Sequence, residues 1–299
     1  MTPRGWALFA ALSLLWGVPY LLIKVAVEEV SPPVVVLART LIGAAVLLPL
    51  AIRARALGGL WERRGAVLVV ALVEIAVPFT LIGAGEQWVS SSLTAILIAS
   101  LPMLIALAAP WVDARERVDR RRAAGLAVGA LGVVALVGLD LGGGGMALVG
   151  ALLILLATCC YAFAGLQIRL RLSEVSPLGL VAVALAISAA ALAPASAATW
   201  PDRMPSAAAL WALAGLGVGC TAAALVVYFA LIGEVGAGRA GVITYVNPAV
   251  AVALGVPILD ESLGPWAVVG IGLIATGSWL ATRPARPAAL AAARQGPGS

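Results

Sequence analysis

The chain has no histidine, one lysine and only 11% charged residues over 299 positions. Lacking imidazole, it lacks the usual base near neutral pH and the commonest transition-metal ligand, which excludes histidine-based catalysis and most such metal sites. Its three cysteines, Cys159, Cys160 and Cys220, all lie in apolar runs without metal-ligand spacing. They read as small packing residues, with no disulfide and no bound metal expected. The glycine run Gly142 to Gly145 is not followed by Gly-Lys-Ser/Thr, so it is no phosphate loop and reads as a flexible linker. A Gly-x-Ser-x-Gly elbow and paired membrane aspartates are also absent. No cofactor is expected.

What is present is apolar sequence: 63% hydrophobic residues and a mean hydropathy of +1.08, more than a soluble chain of this length can bury around one core. The solvent must be lipid. The chain divides into ten stretches of roughly 18 to 26 residues, each able to cross a hydrocarbon core of about 30 Å as a helix. They lie near 6–24, 33–52, 65–85, 91–110, 122–139, 147–168, 178–198, 207–232, 240–258 and 264–282. Helix is the form required, because lipid leaves open backbone groups unsatisfied and the runs lack barrel-strand alternation.

A net charge of +5 raises the question of nucleic acid, but 18 of the 19 basic residues are arginines placed between apolar runs. That placement reads as topology, and no nucleic-acid partner is expected. Arginines follow spans 2, 4, 6, 8 and 10, whereas the odd-numbered loops offer Arg203 and, at the end of span 1, Lys24. Both termini are therefore expected in the cytoplasm, with the chain multi-pass in the plasma or inner membrane. The first span is expected to be retained, since no convincing small-x-small cleavage site follows it. Trp6, Trp88, Trp111, Trp200 and Trp266, near span ends, read as interfacial belt residues.

Glu29-Val30-Ser31-Pro32 returns 145 residues later as Glu174-Val175-Ser176-Pro177. The same offset aligns Trp16 with Tyr161, Lys24 with Arg169, Glu116 with Glu261, Gly125 with Gly270 and Gly132 with Gly277. The chain is a duplication, a common construction for secondary transporters. Five spans per half place the second half upside down relative to the first. The expected fold is all-α integral membrane, ten helices as two inverted five-helix repeats: 1–139, a linker at 140–146, 147–282, and a disordered cytoplasmic tail at 283–299.

Trp16-Gly17, Lys24, Arg39, Pro102, Glu116 and Gly125, with Asn247-Pro248, Glu261 and Gly270 in the second half, mark a family. The chain resembles the EamA family of the drug/metabolite transporter superfamily over residues 6–282. The resemblance implies a ten-helix carrier of small metabolites, frequently amino acids or their relatives moved outward. Pro19 stands where many members have a small polar residue, which weakens substrate analogy at that position.

Glu74 leads the candidates for chemistry. It lies about 14 Å up its helix from Gly65, close to the bilayer midplane, where a charge costs several kcal/mol unless it faces a cavity, takes up a proton or finds a partner. Three readings stand: a proton- or substrate-binding site, an ion pair with Arg39, or a neutral buried acid. Arg39, about 9 Å below the start of span 2, reads chiefly as structural. Trp16, Tyr20, Tyr161, Gln167, Tyr228, Tyr245 and Asn247 either line a cavity or pack helix on helix. Lys24 and Arg169 end the first helix of each repeat as interfacial anchors or gates. Pro19 is expected to open span 1, and Pro102 and Pro248 to kink spans 4 and 9 symmetrically about the cavity. The glycines of spans 5 and 10 allow close helix approach, within the chain or across a homodimer.

The function expected is a secondary transporter, an exporter of small metabolites such as amino acids or related amines, working by alternating access. Its partners are a small-molecule substrate and the bilayer. A receptor or scaffold without transport, and a membrane enzyme using Glu74, are the competing classes.

Overall fold

A computed structural model describes residues 1–112, 120–139, 145–236, 240, 243–261 and 264–282. The segment containing Glu116, the glycine run Gly142 to Gly144 and the tail after Thr282 lie outside them, as does the side chain of Tyr245. Among the described residues every regular element is a helix. Eight helices among these residues are long and apolar enough to cross a membrane: Pro3–Val27, Pro32–Arg53, Arg64–Glu86, Ser91–Ala108, Gly145–Arg171, Pro177–Ala198, Ala207–Val235 and Pro265–Thr282. At the fifth and ninth expected positions stand the helices Arg120–Leu139 and Ile243–Leu259, the latter with a shorter apolar stretch, Val246–Leu259.

Several spans are interrupted, for local reasons. The first divides at Val18 into α1 (Pro3–Gly17) and α2 (Pro19–Val27), because Pro19 has no N–H to give the preceding turn. After α3 (Pro32–Arg53), the third span runs as α4 (Arg64–Val70), a π-helical segment π1 (Ala71–Ala76) and α5 (Val77–Glu86). Pro78 cannot donate to the carbonyl four residues back, that of Glu74, and the backbone register shifts just ahead of it. The fourth span breaks at Ala99 and Ser100 between α6 (Ser91–Ile98) and α7 (Leu101–Val112).

Then follow α8 (Arg120–Leu139), α9 (Gly145–Arg171), α10 (Pro177–Ala198) and α11 (Ala207–Ala214), the last leading into a second π-helical segment, π2 (Gly215–Ala223). There Thr221 Oγ1 donates to Leu216 O, five residues back, at 2.8 Å. The described chain ends in α12 (Ala224–Val235), α13 (Ile243–Leu259) and α14 (Pro265–Thr282). The two prolines expected to act as a matched pair behave differently. Pro102 stands in the first turn of α7, after the break, where a missing N–H is tolerated; Pro248 lies inside the continuous α13.

Helix pairings recur with the halves exchanged. α3 packs on π2 as α10 packs on π1; α1 packs on α12 as α9 packs on α5; α1 packs on α13 as α9 packs on α7. α3 and α10, and α8 and α14, pair directly. In the α8–α14 pair a Cβ on Gly277 would lie 2.4 Å from Gly129 N and 2.6 Å from Gly125 O, so the two backbones touch. The glycine faces thus close on each other inside one chain. Leu41, Leu152, Leu156, Phe163, Val226 and Trp279 remain exposed on helix faces, as lipid-facing side chains must.

Polar links between the ends and turns of the two halves form two groups. Glu29 Oε2 accepts from Ser206 N at 2.7 Å and Ser31 Oγ reaches Thr199 O at 3.1 Å, while Glu261 Oε1 accepts from Ser91 N at 2.6 Å and Oε2 from Ser92 N at 3.0 Å. These join turns that follow the first, third, seventh and ninth spans. Thr2 Oγ1 donates to Glu234 Oε1 at 2.6 Å, and Arg63 forms an ion pair with Glu174. These join the N-terminus and the turns after the second, sixth and eighth spans.

Candidate functional site

The interior between the halves is built by π1 and π2 with α1, α2, α3, α9 and α12. π1 carries Glu74, whose Oε2 is buried without a hydrogen-bond partner. A π turn rotates the following side chains relative to an α-helix and is frequent where a helix serves function. Glu74 lies within electrostatic reach of Cys160 and Tyr161 on α9 and of Tyr228 on α12.

Arg39, 8% exposed, is held by groups other than that acid. Its Nε donates to Thr221 Oγ1 at 2.8 Å, and its guanidinium lies 4.0 Å from the centroid of the Phe79 ring. Among the described residues the one ion pair joins Arg63 and Glu174, so the Arg39–Glu74 pair is not formed. The reason is geometric: the hydroxyl supplied by π2 and the aromatic face supplied by α5 satisfy the guanidinium first. Tyr161 falls within electrostatic reach of both Glu74 and Arg39, and Tyr20 within reach of Arg39.

The remaining candidates take varied places. Trp16 and Tyr228 meet with ring centroids 4.9 Å apart. Tyr20 and Tyr161 pack, partly buried, on the core cluster that includes Ile23, Leu97 and Ile154. Asn247 Oδ1 is buried without a partner on α13. Gln167 is half-buried and Arg169 exposed near the end of α9. Pro19 is buried at the α1–α2 joint, where Gly17 lets Val250 of α13 approach: a Cβ there would stand 2.3 Å from Val250 Cγ1. Lys24 bonds inward, its Nζ donating to the carbonyls of Glu86 at 2.5 Å and Val89 at 3.0 Å.

Sequence reasoning missed Glu86 and Thr221. Glu86 sits one residue beyond the expected end of the third span; α5 includes it, fully buried, and neither carboxyl oxygen has a hydrogen-bond partner. Thr221 acts through the π register, which carries no residue signature. A cavity of about 400 Å³ lies over Glu86, lined also by Lys24, Val27, Glu28, Gln87 and Trp88.

Chemically, the interior offers buried acid and aromatic faces, which suit the holding of a proton or a cation. A helical membrane protein so built is a transport protein in class. The chain belongs to the EamA-like transporter family, whose model matches residues 4–138 and 148–283. It is 29% identical over 281 residues to YedA of Escherichia coli K12, named an uncharacterized inner membrane transporter, across 91% of this chain and 88% of that protein. It is 23% identical to an uncharacterized transporter of Archaeoglobus fulgidus across 94% of this chain and 99% of the other. A solved crystal structure shares the fold with a TM-score of 0.64 at 20% identity, covering 92% of this chain and 96% of that one. This is a membrane transporter of the drug/metabolite type.

Proposed function

We propose that the chain is a proton-coupled secondary carrier that exports small metabolites, amino acids or related amines, by alternating access of two inverted five-helix halves, residues 1–139 and 147–282. The observation that carries it is Glu74: a carboxyl in a π-helical segment near the middle of its span, with an unpartnered oxygen and aromatic neighbours. An ionised carboxylate there costs several kcal/mol, so the acid is stable protonated or when a cation is beside it. That exchange is what coupling requires. Trp16, Tyr20, Tyr161 and Tyr228 supply ring faces for an ammonium group. Outward direction and substrate class follow the family resemblance.

Inversion is supported by the helix pairings that recur with the halves exchanged. Alternation of the spans is supported by the two groups of links, each uniting turns that the arginine placement assigns to one face. The face with Arg63 would be cytoplasmic, as would both termini.

Glu74→Gln keeps the shape of the side chain and removes the titration. In proteoliposomes it is expected to abolish pH-gradient-driven transport while leaving the protein monodisperse and substrate binding measurable. Undiminished coupled transport by the variant would remove Glu74 from the mechanism.

A further inference from the structure

We propose that Glu86 is a second proton-binding site, which governs opening of the face opposite Arg63 by deciding what Lys24 holds. The carboxyl is wholly buried and unpartnered, and Glu86 is among the residues that line the 400 Å³ cavity. The groups facing it are Lys24 and Tyr20 from α2, Arg39 from α3, Thr94 from α6 and Glu261 from the turn before α14, with Glu28 on the cavity rim. None neutralises it. Lys24 Nζ is committed to the carbonyls of Glu86 and Val89, Arg39 to Thr221 and Phe79, and Glu261 is itself an acid held by Ser91 and Ser92.

Thr94 does not supply the missing donor, since its hydroxyl donates to Ser90 O at 3.0 Å. A buried carboxylate with no hydrogen-bond donor and no cation in ion-pair contact is far more costly than a neutral acid, so the closed arrangement carries the proton on Glu86.

Loss of that proton to outside water leaves a carboxylate beside an ammonium now bonded only to neutral carbonyls. Ion pairing then draws Lys24 off Val89 O and releases the turn at residues 87–90, and with it the start of α6 that Glu261 holds. Proton uptake reverses the exchange. The inference deepens the transport reading by adding an outer proton site, yet the opening it describes occurs without substrate.

The test uses Ser91→Cys in a chain with Cys159, Cys160 and Cys220 replaced by serine. Ser91 is fully buried and held through its backbone N–H, so a cysteine there reports release. Labelling by a membrane-impermeant maleimide is measured against external pH with and without Glu86→Gln, the ratio removing the thiol's own titration. The ratio is expected to rise about tenfold per pH unit up to the midpoint, as the deprotonated fraction does, and then to level off. Glu74→Gln should leave this ratio unchanged, which separates its failure from failure of the coupling role. Infrared difference spectra of the full chain should lose a carboxyl C=O band as pH rises, and Glu86→Asp should shift that band. A flat ratio, or a band untouched by both Glu86 substitutions, overturns the proposal.

Discussion

Two glycines five residues apart on α14 should respond to the same substitution with opposite signs. Gly277 meets α8 so closely that an added Cβ would stand 2.4 Å from Gly129 N, 2.6 Å from Gly125 O and 2.6 Å from Gly129 Cα. All three are backbone atoms, which no rotamer change can move. Restoring ordinary contact requires the helices to part by about 1 Å, and overpacking of this kind costs about 1–3 kcal/mol. Gly272 on the exposed face has nothing within 4 Å of such a Cβ, and there alanine gains about 1 kcal/mol of helix propensity. Gly277→Ala should therefore melt several degrees below the native chain and Gly272→Ala at or above it, at about 2–4 °C per kcal/mol. Thermal unfolding in detergent by tryptophan fluorescence measures both. Since both helices belong to one chain, the difference should not depend on protein concentration. Equal melting of the two variants, or a deficit that grows on dilution, would refute the close intramolecular crossing.

Glu261→Gln retains the shape that meets Ser91 and Ser92 but gives up the charge at the N-terminus of α6, and should destabilise by about 1 kcal/mol in chemical denaturation. Hydrogen bonds from the Ser206 hydroxyl and N–H hold the Glu29 carboxyl below the usual glutamate range. A depressed group stabilises the fold above its unfolded value and loses that contribution as pH falls through the folded one. Melting of the native chain should thus decline on acidification more steeply than that of Glu29→Gln, and parallel curves would contradict the clamp.

Much of the fold was legible because lipid makes burial a matter of run length. Helix starts carry Ser-Pro at positions 31–32 and 176–177, and the described helices Pro32–Arg53 and Pro177–Ala198 begin there. Close approach of α8 and α14 was legible in Gly125, Gly129 and Gly277; whether it lay inside one chain was not, since small residues serve both kinds of contact. Less of the site could be read. Helical rise gives the depth of Glu74 and Arg39 but not the direction each faces, and a π turn in each of the third and eighth spans resets that direction. Arg39 consequently reaches Thr221, six spans away in sequence, and not the acid at similar depth. Glu86 lies one residue past the expected end of the third span, and run length does not tell whether such an end residue turns inward.

The duplication and the buried charge tell different stories. Repeated positions carry the scaffold: each Glu-Val-Ser-Pro glutamate bridges to the opposite half, Glu29 to Ser206 and Glu174 to Arg63. The buried ionisable groups are not repeated. At the 145-residue offset Arg39, Glu74 and Glu86 face Ala184, Gly219 and Leu231, two of them fully or almost fully buried apolar residues. A pair of inverted halves with equal interiors would respond alike to protons from either side. Under the proposed inversion, the placing of Arg39, Glu74 and Glu86 in one half removes that equivalence, and a carrier whose two openings differ in proton affinity can use a gradient to bias its cycle in one direction.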